Sequence, residues 1–481
     1  MHLSAVFHVV SWLLAVVALL SGVSGAVSFC YGETAAALSL GLSALGGLLF
    51  AAALWLATRS HRALAWREGV GVVALGWLSC AAFAACPFAF ARAGISFADA
   101  FFESVSGLTT TGATVFPSVE ALPRGLLFFR SLLQGLGGAG VLMLVVAILP
   151  LAGAGSTQLY RAETSGGIQD RIAPRLATTA KWIWALYLGL GALVTLLLVL
   201  CRMNWFDAVC HAFSTISSGG FSTRNASISA FGSLPVEIIV TAGMVLSGIP
   251  FICLLRVLQG DWRAPWKSGQ IRLYLALFLL GGLFFAFAER GARFWTGLRG
   301  GLFTSASVLS SCGFATADFA RWSVPSKLVV MFLALVGGTT GSTSGGLKVE
   351  RLRMGFHAVR RACGEFLQPR AVLPIRADGR VVEEEVVRGA VVFTLLYAML
   401  AGAGALLLSR WCTGGEAISA AVSALSNTGP ALGRLGPFGS YAGVPVAGKL
   451  LLAFLMLAGR LELLDRHVPK DYRRNNVYTY P

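Results

Sequence analysis

Long apolar runs separated by short polar segments dominate the hydrophobic pattern of this chain. Runs of about 20 residues recur along it, each long enough for a helix to cross a bilayer core of roughly 30 Å. The first two, at 7–28 and 34–57, follow each other directly. Because the first lacks the strongly basic start of a signal peptide, we interpret both as retained helices. The pattern predicts an all-α polytopic membrane protein.

Four polar nonapeptides interrupt the apolar pattern at comparable positions. They are SGLTTTGAT at 106–114, STISSGGFS at 214–222, SVLSSCGFA at 307–315 and SALSNTGPA at 423–431. The first residue is always serine, the fourth always carries a hydroxyl, and the seventh is always glycine. Three matching columns in four segments are hard to ascribe to chance, so they indicate an internal fourfold repeat.

The flanks of the nonapeptides repeat as well. Each nonapeptide follows an apolar stretch of about a dozen residues, which is too short to span a bilayer and suits a re-entrant half-helix. One spanning run precedes each half-helix and another follows it, and we place these runs at 70–90 and 126–151, 182–201 and 236–258, 271–288 and 327–347, and 387–408 and 445–464. This order predicts four channel-like helix–pore-loop–helix repeats around a pseudo-fourfold pore, preceded by two N-terminal transmembrane helices. The predicted boundaries are 1–66 for those two helices, 67–155, 156–262, 263–365 and 366–465 for the repeats, and 466–481 for a polar cytoplasmic tail.

The repeated loops have the chemistry of a cation pathway. Non-helical backbone at membrane depth is tolerated only where it is buried in protein or lines a wet cavity. Glycine allows carbonyl groups to adopt otherwise costly directions, and rings of carbonyls can replace the hydration shell of a monovalent cation. An acid stands 13 residues before the glycine in three repeats (Asp99, Asp207 and Glu416), whereas the third repeat has Gly300. We expect these acids to favour the helix dipole and attract cations. The alternative is that the small residues only allow close helix packing.

A second glycine-rich segment, VGGTTGSTSGGLKVERLR at 336–353, interrupts the second helix of repeat three. It is not a phosphate-binding loop, because Leu347 occupies the position that such a loop requires for lysine. An interruption in one repeat only would break the fourfold symmetry below the four polar loops, which predicts a gate; a plain hinge is the alternative. Arg460 lies near the inner end of the last helix, and the sequence leaves open whether it faces the pore or snorkels to the interface.

Charge and composition exclude several other classes of function. The net charge is +16, but the basic residues lie between apolar runs, for instance at Arg256, Arg263, Lys267 and Arg272. The positive-inside rule places these loops, and both termini, in the cytoplasm, and we expect no nucleic-acid partner. Nine cysteines without a CxxC motif indicate neither a disulfide framework nor a metal site. The six histidines are scattered, which argues against a membrane enzyme; we expect His211, in a half-helix, to have a packing role.

Seven segments of the chain, in order, resemble the TrkH/KtrB superfamily of potassium transporters, and its TrkH branch most closely. They are FFESVSGLTTTGAT, QGLGGAGVLMLVVAILPL, QLYRAE, HAFSTISSGGFST, GSTSGGLKVERLR, LSNTGPALG and LLAFLMLAGRLE. The resemblance implies a K⁺ selectivity filter made of Thr110, Thr111, Gly112, Ser218, Gly219, Gly220, Ser311, Cys312, Gly313, Asn427, Thr428 and Gly429. It also implies an intramembrane gating loop, whose candidate gating residues are Gly337, Gly338, Gly341, Gly345, Gly346 and Lys348, together with Arg460.

The resemblance further implies a homodimer in the bacterial inner membrane, regulated by a cytosolic TrkA-like ring of nucleotide-binding subunits, with K⁺ as the transported ion and no covalently bound cofactor. In this family, glycine at all four filter positions goes with potassium and serine in the first repeat goes with sodium, so we expect potassium over sodium. Alternatives are a Na⁺-permeable or H⁺-coupled symporter of the same family, or a pore that acts as a sensor. Two departures stand out: Ser311-Cys312 replaces two threonines, and the C-terminal tail is polar.

Overall fold

The protein is almost entirely helical in the computed structural model, which describes residues 2–58, 66–91, 95–140, 173–289, 294–368 and 373–461. The helices are α1 (Leu3–Cys30), α2 (Thr34–Ala57), α3 (Trp66–Phe90), α4 (Phe97–Leu108), α5 (Arg124–Gly138), α6 (Ala173–Leu200), α7 (Trp205–Ile216), α8 (Leu234–Ser247), α9 (Phe251–Leu258), α10 (Ala264–Lys267), α11 (Gly269–Ala288), α12 (Phe294–Leu309), α13 (Val324–Val336), α14 (Val349–Leu367), α15 (Glu384–Leu408), α16 (Gly414–Leu425) and α17 (Val446–Leu461). Strands β1 (Arg376–Ala377) and β2 (Arg380–Val381) form a short antiparallel hairpin.

Among the described residues, helices α1, α2, α3, α6, α11 and α15 are long and apolar enough to cross a membrane, and the bent pair α8 and α9 adds a seventh span if it is counted as one. Their lengths follow from uninterrupted apolar sequence, since 20 residues of helix already cover the hydrocarbon core. The predicted multi-pass membrane architecture is therefore confirmed. The two N-terminal helices pack as a pair, and α1 also packs against α3 and α5 of the first repeat.

The chain then forms four units of the same order: outer helix, half-helix, polar loop, inner helix. The half-helices are α4, α7, α12 and α16, and they contain 12, 12, 16 and 12 residues. The inner helix of each repeat packs against the half-helix of the next: α5 on α7, α8 on α12, α13 on α16, and α17 back on α4. This cyclic packing closes the four repeats into a ring, as the predicted pseudo-fourfold arrangement requires.

The span expected over 236–258 is not one continuous helix, because the structure breaks it between α8 and α9 with a bend of 106°. Pro250 lacks a backbone N–H and cannot continue the helical hydrogen bonding. The Gly248 carbonyl at the break instead accepts from the backbone N–H of Thr339, at 3.1 Å. The glycine-rich segment of repeat three is therefore not alone in interrupting an inner helix, contrary to the sequence-based interpretation.

Some expectations fall outside the described residues. These are the end of the span predicted at 126–151, the QLYRAE segment and the polar tail at 466–481.

Candidate functional site

All four half-helices end in the same backbone motif at the fifth residue of the nonapeptide. Thr110, Ser218, Ser311 and Asn427 have left-handed φ angles of 53° to 56°. In each repeat, the N–H of the following residue donates to the carbonyl of the first serine at 2.8–2.9 Å, and the fifth N–H donates to the second carbonyl. This is the Schellman termination of a helix, which normally favours glycine at the left-handed position. The repeats therefore share one strained backbone path as well as a sequence pattern.

The invariant glycines join the four loops into a closed ring. Gly112, Gly220, Gly313 and Gly429 have φ between 74° and 95°. A Cβ atom on any of them would lie closer than 3.0 Å to a carbonyl oxygen of the next loop. The four carbonyls belong to Gly219, Cys312, Thr428 and Thr111, in that order. Each loop therefore contacts its neighbour backbone to backbone, and the fourth loop returns to the first.

We call residues 106–114, 214–222, 307–315 and 423–431 the loop ring. It brings together every residue that the resemblance assigned to a filter. Gly112, Gly220 and Gly313 are half-buried, whereas Gly429 and the residues before the glycines (Thr111, Gly219, Cys312 and Thr428) are buried. The glycine level of the ring is therefore the more open one in the first three repeats.

Hydroxyl and amide groups brace the ring from behind. Thr109 and Thr111 share a hydroxyl hydrogen bond of 2.8 Å, and Ser426 and Thr428 share the equivalent bond of 2.9 Å. Asn427 donates its Nδ2 to the Thr111 hydroxyl at 3.0 Å, which links the fourth loop to the first. The third repeat has only the Cys312 thiol at this place, 3.7 Å from the Ser214 carbonyl. Hydroxyl support is therefore reduced there, as the departure from two threonines predicts.

Gln134 supports the second loop, and the sequence analysis did not identify it. Gly219 has no side chain at the position where repeats one and four have threonine. The Gln134 amide occupies that space: Nε2 donates to the Gly219 carbonyl at 2.6 Å, and Oε1 accepts from the Phe221 N–H at 3.1 Å. A Cβ on Gly219 would collide with this side chain. A lone glutamine in a glycine-rich helix gives no pattern by which to find it.

A buried ion pair behind the first two loops was also missed. Glu103 and Arg130 have exposed side-chain fractions of 0% and 2%, and Arg130 Nε lies 2.8 Å from Glu103 Oε1. Glu103 Oε2 also accepts from the Val115 N–H at 2.9 Å, just after the first loop. The Arg130 guanidinium lies 4.0 Å from the centre of the Phe221 ring in the second loop. The pair therefore ties a half-helix, an inner helix and two adjacent loops together.

The three acids that precede the glycines lie at the third residue of α4, α7 and α16, near the positive end of each helix dipole, as expected. Each also has a basic partner. Asp99 pairs with Lys449, Asp207 with Arg224 at 2.9 Å, and Glu416 with Arg434 at 3.5 Å. Because their charges are compensated, the geometry does not support the expectation that these acids attract cations. His211 has the expected packing role, since its ring bonds to the Asp207 carbonyl and the Ser222 hydroxyl and stacks on Phe314.

The interrupted segment of repeat three forms a compact loop between α13 and α14, which we call the intramembrane loop (residues 337–348). Gly337 and Gly346 have φ of 71° and 81° and touch each other, so neither can carry a side chain. A Cβ on Gly338 would collide with Ser344. Lys348 is buried with φ 74°, and its ammonium donates to the Ser344 carbonyl within the loop. The loop is therefore a folded element closed on itself.

The intramembrane loop contacts the loop ring on three sides. Thr343 shares a hydroxyl hydrogen bond of 2.6 Å with Ser218, in the second repeat. The Gly345 N–H donates to the Ser311 hydroxyl at 2.5 Å, in the third. A Cβ on Gly345 would overlap the Ser426 carbonyl, in the fourth. At its other end, the exposed Gly341 accepts from the Phe251 N–H at 3.1 Å, at the break between α8 and α9.

Arg460 contacts the intramembrane loop. The sequence left open whether this side chain faces the pore or snorkels to the membrane interface, and a contact with the loop matches neither alternative. Its Nη1 donates to the Thr343 carbonyl at 2.9 Å, and its Nη2 donates to the Gly137 carbonyl at 2.5 Å. Arg460 therefore links the fourth repeat, the intramembrane loop and the end of the first inner helix. The side chain is half-buried among backbone carbonyls, which explains how a charge is tolerated there.

Beyond the loop, α14 is attached to the hairpin between β1 and β2. Arg353 donates from Nη1 and Nη2 to the two carboxylate oxygens of Asp378, at 2.8 and 3.0 Å. Asp378 also accepts from the Gly269 N–H at 3.0 Å, at the start of α11. Partial burial would raise the pKa of Asp378, but the hydrogen bonds from Arg353 outweigh it, so the pKa is lowered. The hairpin therefore joins the helix after the intramembrane loop to the outer helix of its own repeat.

Within the described ranges, no group of three or more His, Cys, Asp and Glu side chains is arranged to hold a metal ion.

Comparison with known proteins agrees with this architecture. The TrkH family profile, described as cation transport protein, matches residues 45–279 and 295–471. The Trk system potassium uptake protein TrkH of Salmonella typhimurium is 35% identical over 428 residues, which cover 87% of each chain. The crystal structure of the potassium transporter TrkH from Vibrio parahaemolyticus has a TM-score of 0.86 and 31% identity, and covers 97% of this chain and 98% of that one. The chain therefore belongs to the TrkH family of cation transport proteins, which are transporters and not enzymes.

Proposed function

We propose that this protein takes up K⁺ across the bacterial inner membrane through a gated, channel-like pore on the axis of the loop ring. The observation that carries the proposal is the closed ring itself: four loops with one backbone path, each packed against the next without room for a Cβ. Such a ring offers repeated backbone carbonyls to a dehydrated cation. The names of the curated relatives, potassium uptake proteins, agree with this assignment.

The filter in this proposal consists of each glycine and the two residues before it, at 110–112, 218–220, 311–313 and 427–429. Potassium is favoured over sodium because all four loops have glycine at this position. No side chain therefore crowds the space between the neighbouring backbones. Selectivity is modest, because the polar segment is short and supplies few successive carbonyl rings.

The gate in this proposal is the intramembrane loop. Its support is the set of contacts with three of the four filter loops and with Arg460. A loop held in this way obstructs the path beneath the filter until those hydrogen bonds break. The glycines at 337, 338, 345 and 346 let it fold tightly enough to fit there, whereas Gly341 lies at the exposed tip.

Regulation in this proposal comes from the cytoplasmic side, where both termini lie. A cytosolic TrkA-like subunit binds the nucleotide and docks on the basic inner loops, and two copies of the chain form a homodimer. The sequence after the gate supports a contact of this kind, because α14 directly follows the intramembrane loop and exposes Phe356 and Phe366. Movement of α14 would reach the gate directly.

Uptake of ⁸⁶Rb⁺ by liposomes that contain the purified protein tests the proposal. We expect uptake driven by an outward K⁺ gradient, reduced more by added K⁺ than by added Na⁺. The same flux with and without a pH gradient excludes proton coupling, and stronger competition by Na⁺ would indicate the sodium-permeable alternative. Absence of flux, with or without a regulatory subunit, would overturn the assignment and favour a sensor.

A further inference from the structure

The segment from α9 to the start of α11, residues 251–272, combines exposed tryptophans with exposed basic side chains; we call it the basic foot. The bend of 106° after α8 turns α9 away from the direction of the inner helix. A helix that leaves a membrane-crossing path at nearly a right angle runs close to the membrane plane. The spanning helix α11 begins at Gly269, only three residues after Trp266. The foot therefore lies where a span emerges from the bilayer.

The apolar side chains of the foot fit a membrane surface better than water. Leu258, Trp262 and Trp266 have exposed fractions of 70%, 72% and 66%. Tryptophan is enriched at membrane–water interfaces, because its ring is amphipathic and suits the headgroup level. Two such side chains, exposed within five residues of each other, are well placed to enter the headgroup region beside α11.

The charges of the foot select an anionic partner. Arg256, Arg263, Lys267 and Arg272 are all exposed, and the single acid among residues 251–272, Asp261, lies 3.8 Å from Lys267. An excess of basic side chains at the level of interfacial tryptophans has the composition that recognises anionic headgroups. A protein partner that covered both tryptophans would have to displace the bilayer beside α11. Within the foot the bilayer is therefore the better occupant, and the regulatory subunit docks on the remaining basic inner loops.

The foot is also joined directly to the intramembrane loop. Its first residue, Phe251, donates its N–H to the Gly341 carbonyl at 3.1 Å. The break just before it accepts two hydrogen bonds from Thr339, from the N–H and from Oγ1 at 2.7 Å, on the Gly248 carbonyl. A shift of α9 in the membrane plane would therefore disturb the hydrogen bonds that hold Thr339 and Gly341 of the intramembrane loop.

We propose that the basic foot binds the headgroups of anionic phospholipids in the surrounding bilayer, and that their occupancy sets how readily the intramembrane loop opens. The second part rests on the proposed gate, whereas the first does not. The foot thus forms a lipid-sensing site at the junction of repeats two and three that acts on an element of repeat three.

Binding is tested on the full-length protein in detergent by native mass spectrometry, with phosphatidylglycerol and phosphatidylcholine in competition. The test variant is Arg256→Gln/Arg263→Gln/Lys267→Gln/Arg272→Gln. The control is Arg360→Gln/Arg388→Gln, which removes exposed basic side chains from α14 and α15. We expect the wild type and the control to prefer phosphatidylglycerol, and the test variant to lose roughly tenfold or more of that preference. Millimolar inorganic phosphate should not displace the lipid. An equal preference for phosphatidylglycerol in the test variant and the wild type would overturn the site. So would a test variant that kept this lipid preference and lost only the binding of a cytosolic protein.

Coupling is tested by ⁸⁶Rb⁺ flux in phosphatidylcholine liposomes with increasing phosphatidylglycerol. Flux of the wild type and the control should change at least severalfold with phosphatidylglycerol, and flux of the test variant should not. Lipid-independent flux in a wild type that binds phosphatidylglycerol selectively would overturn the link to the gate. No flux in any lipid, together with an intact lipid preference, would overturn the uptake function and leave the binding site supported. Thermal melting and gel filtration establish that each variant is folded.

Discussion

Replacing Gly112 by serine is the sharpest perturbation of the loop ring. Gly112 has a φ of 81°, which is left-handed, and a Cβ there would overlap the Gly219 carbonyl oxygen of the next loop. Left-handed backbone strain costs a non-glycine residue of order 1–3 kcal/mol. The overlap adds to this, because the obstructing atom belongs to the backbone and cannot rotate away. The ring can relieve the strain only by moving the two loops apart.

A displacement of the loops that is too small to unfold the protein is enough to change how the ring discriminates between K⁺ and Na⁺. If 1–3 kcal/mol of strain appears as a change in the relative barriers for K⁺ and Na⁺, their ratio shifts by about 5- to 150-fold. We therefore expect Gly112→Ser to admit Na⁺ or to abolish K⁺ uptake. Gly220→Ser, Gly313→Ser and Gly429→Ser should impair uptake in the same way, because the same overlap occurs at each joint of the ring.

The assay is competitive ⁸⁶Rb⁺ uptake into liposomes, with Na⁺ or K⁺ added outside, for the wild type and each variant. Gly189→Ser is a matched control, since Gly189 lies in a spanning helix and a Cβ there would meet nothing within 4 Å. The control should keep wild-type uptake and discrimination. If folded Gly112→Ser protein kept wild-type discrimination as well, the ring would not be the filter.

Further predictions concern the gate and the supports of the ring. Arg460→Ala removes the charged hydrogen bond to the Thr343 carbonyl of the gate, worth about 1.5–3 kcal/mol, so basal ⁸⁶Rb⁺ flux should rise by about 10- to 150-fold, with Arg460→Lys in between; wild-type flux would refute a role in closing the gate. Deleting residues 338–345 should also raise basal flux and weaken regulation, whereas unchanged flux from folded protein would indicate a hinge. Glu103→Gln leaves Arg130 buried without its counter-charge and should destabilise the protein by about 3–5 kcal/mol in thermal or denaturant unfolding; a loss below about 1 kcal/mol would show that the pair is dispensable. Asp378 has a lowered pKa in the folded protein, so its contribution to stability is present above its unfolded pKa of about 3.9 and is lost as the pH falls through the folded value. The melting-temperature difference between wild type and Asp378→Asn should therefore be present at pH 7 and shrink as the protein is acidified. An equal difference at neutral and acidic pH would contradict the ion pair.

The sequence by itself determined the features that are local. Apolar length set the spanning helices, and α2 lies at the predicted 34–57. The recurring serine, hydroxyl and glycine columns identified the four loops, because a Schellman ending needs only a few consecutive residues to form. The glycine-rich interruption of the third inner helix was found in the same way. The filter and gate assignments built on these patterns remain predictions.

Only the tertiary structure decided how these elements meet, because the deciding contacts join residues far apart in the chain. Gly429 touches the first loop only because four repeats close into a ring, and Gln134 supports Gly219 from another repeat. Arg460 reaches Thr343 across 117 positions, a contact that helical periodicity could not predict. Pro250 is present in the sequence, but it did not by itself predict a break, since proline is tolerated in a membrane helix when neighbouring groups satisfy the freed backbone groups. At this break the Thr339 hydroxyl donates to the Gly248 carbonyl, and the sequence of repeat two alone cannot predict this contact because Thr339 lies in repeat three.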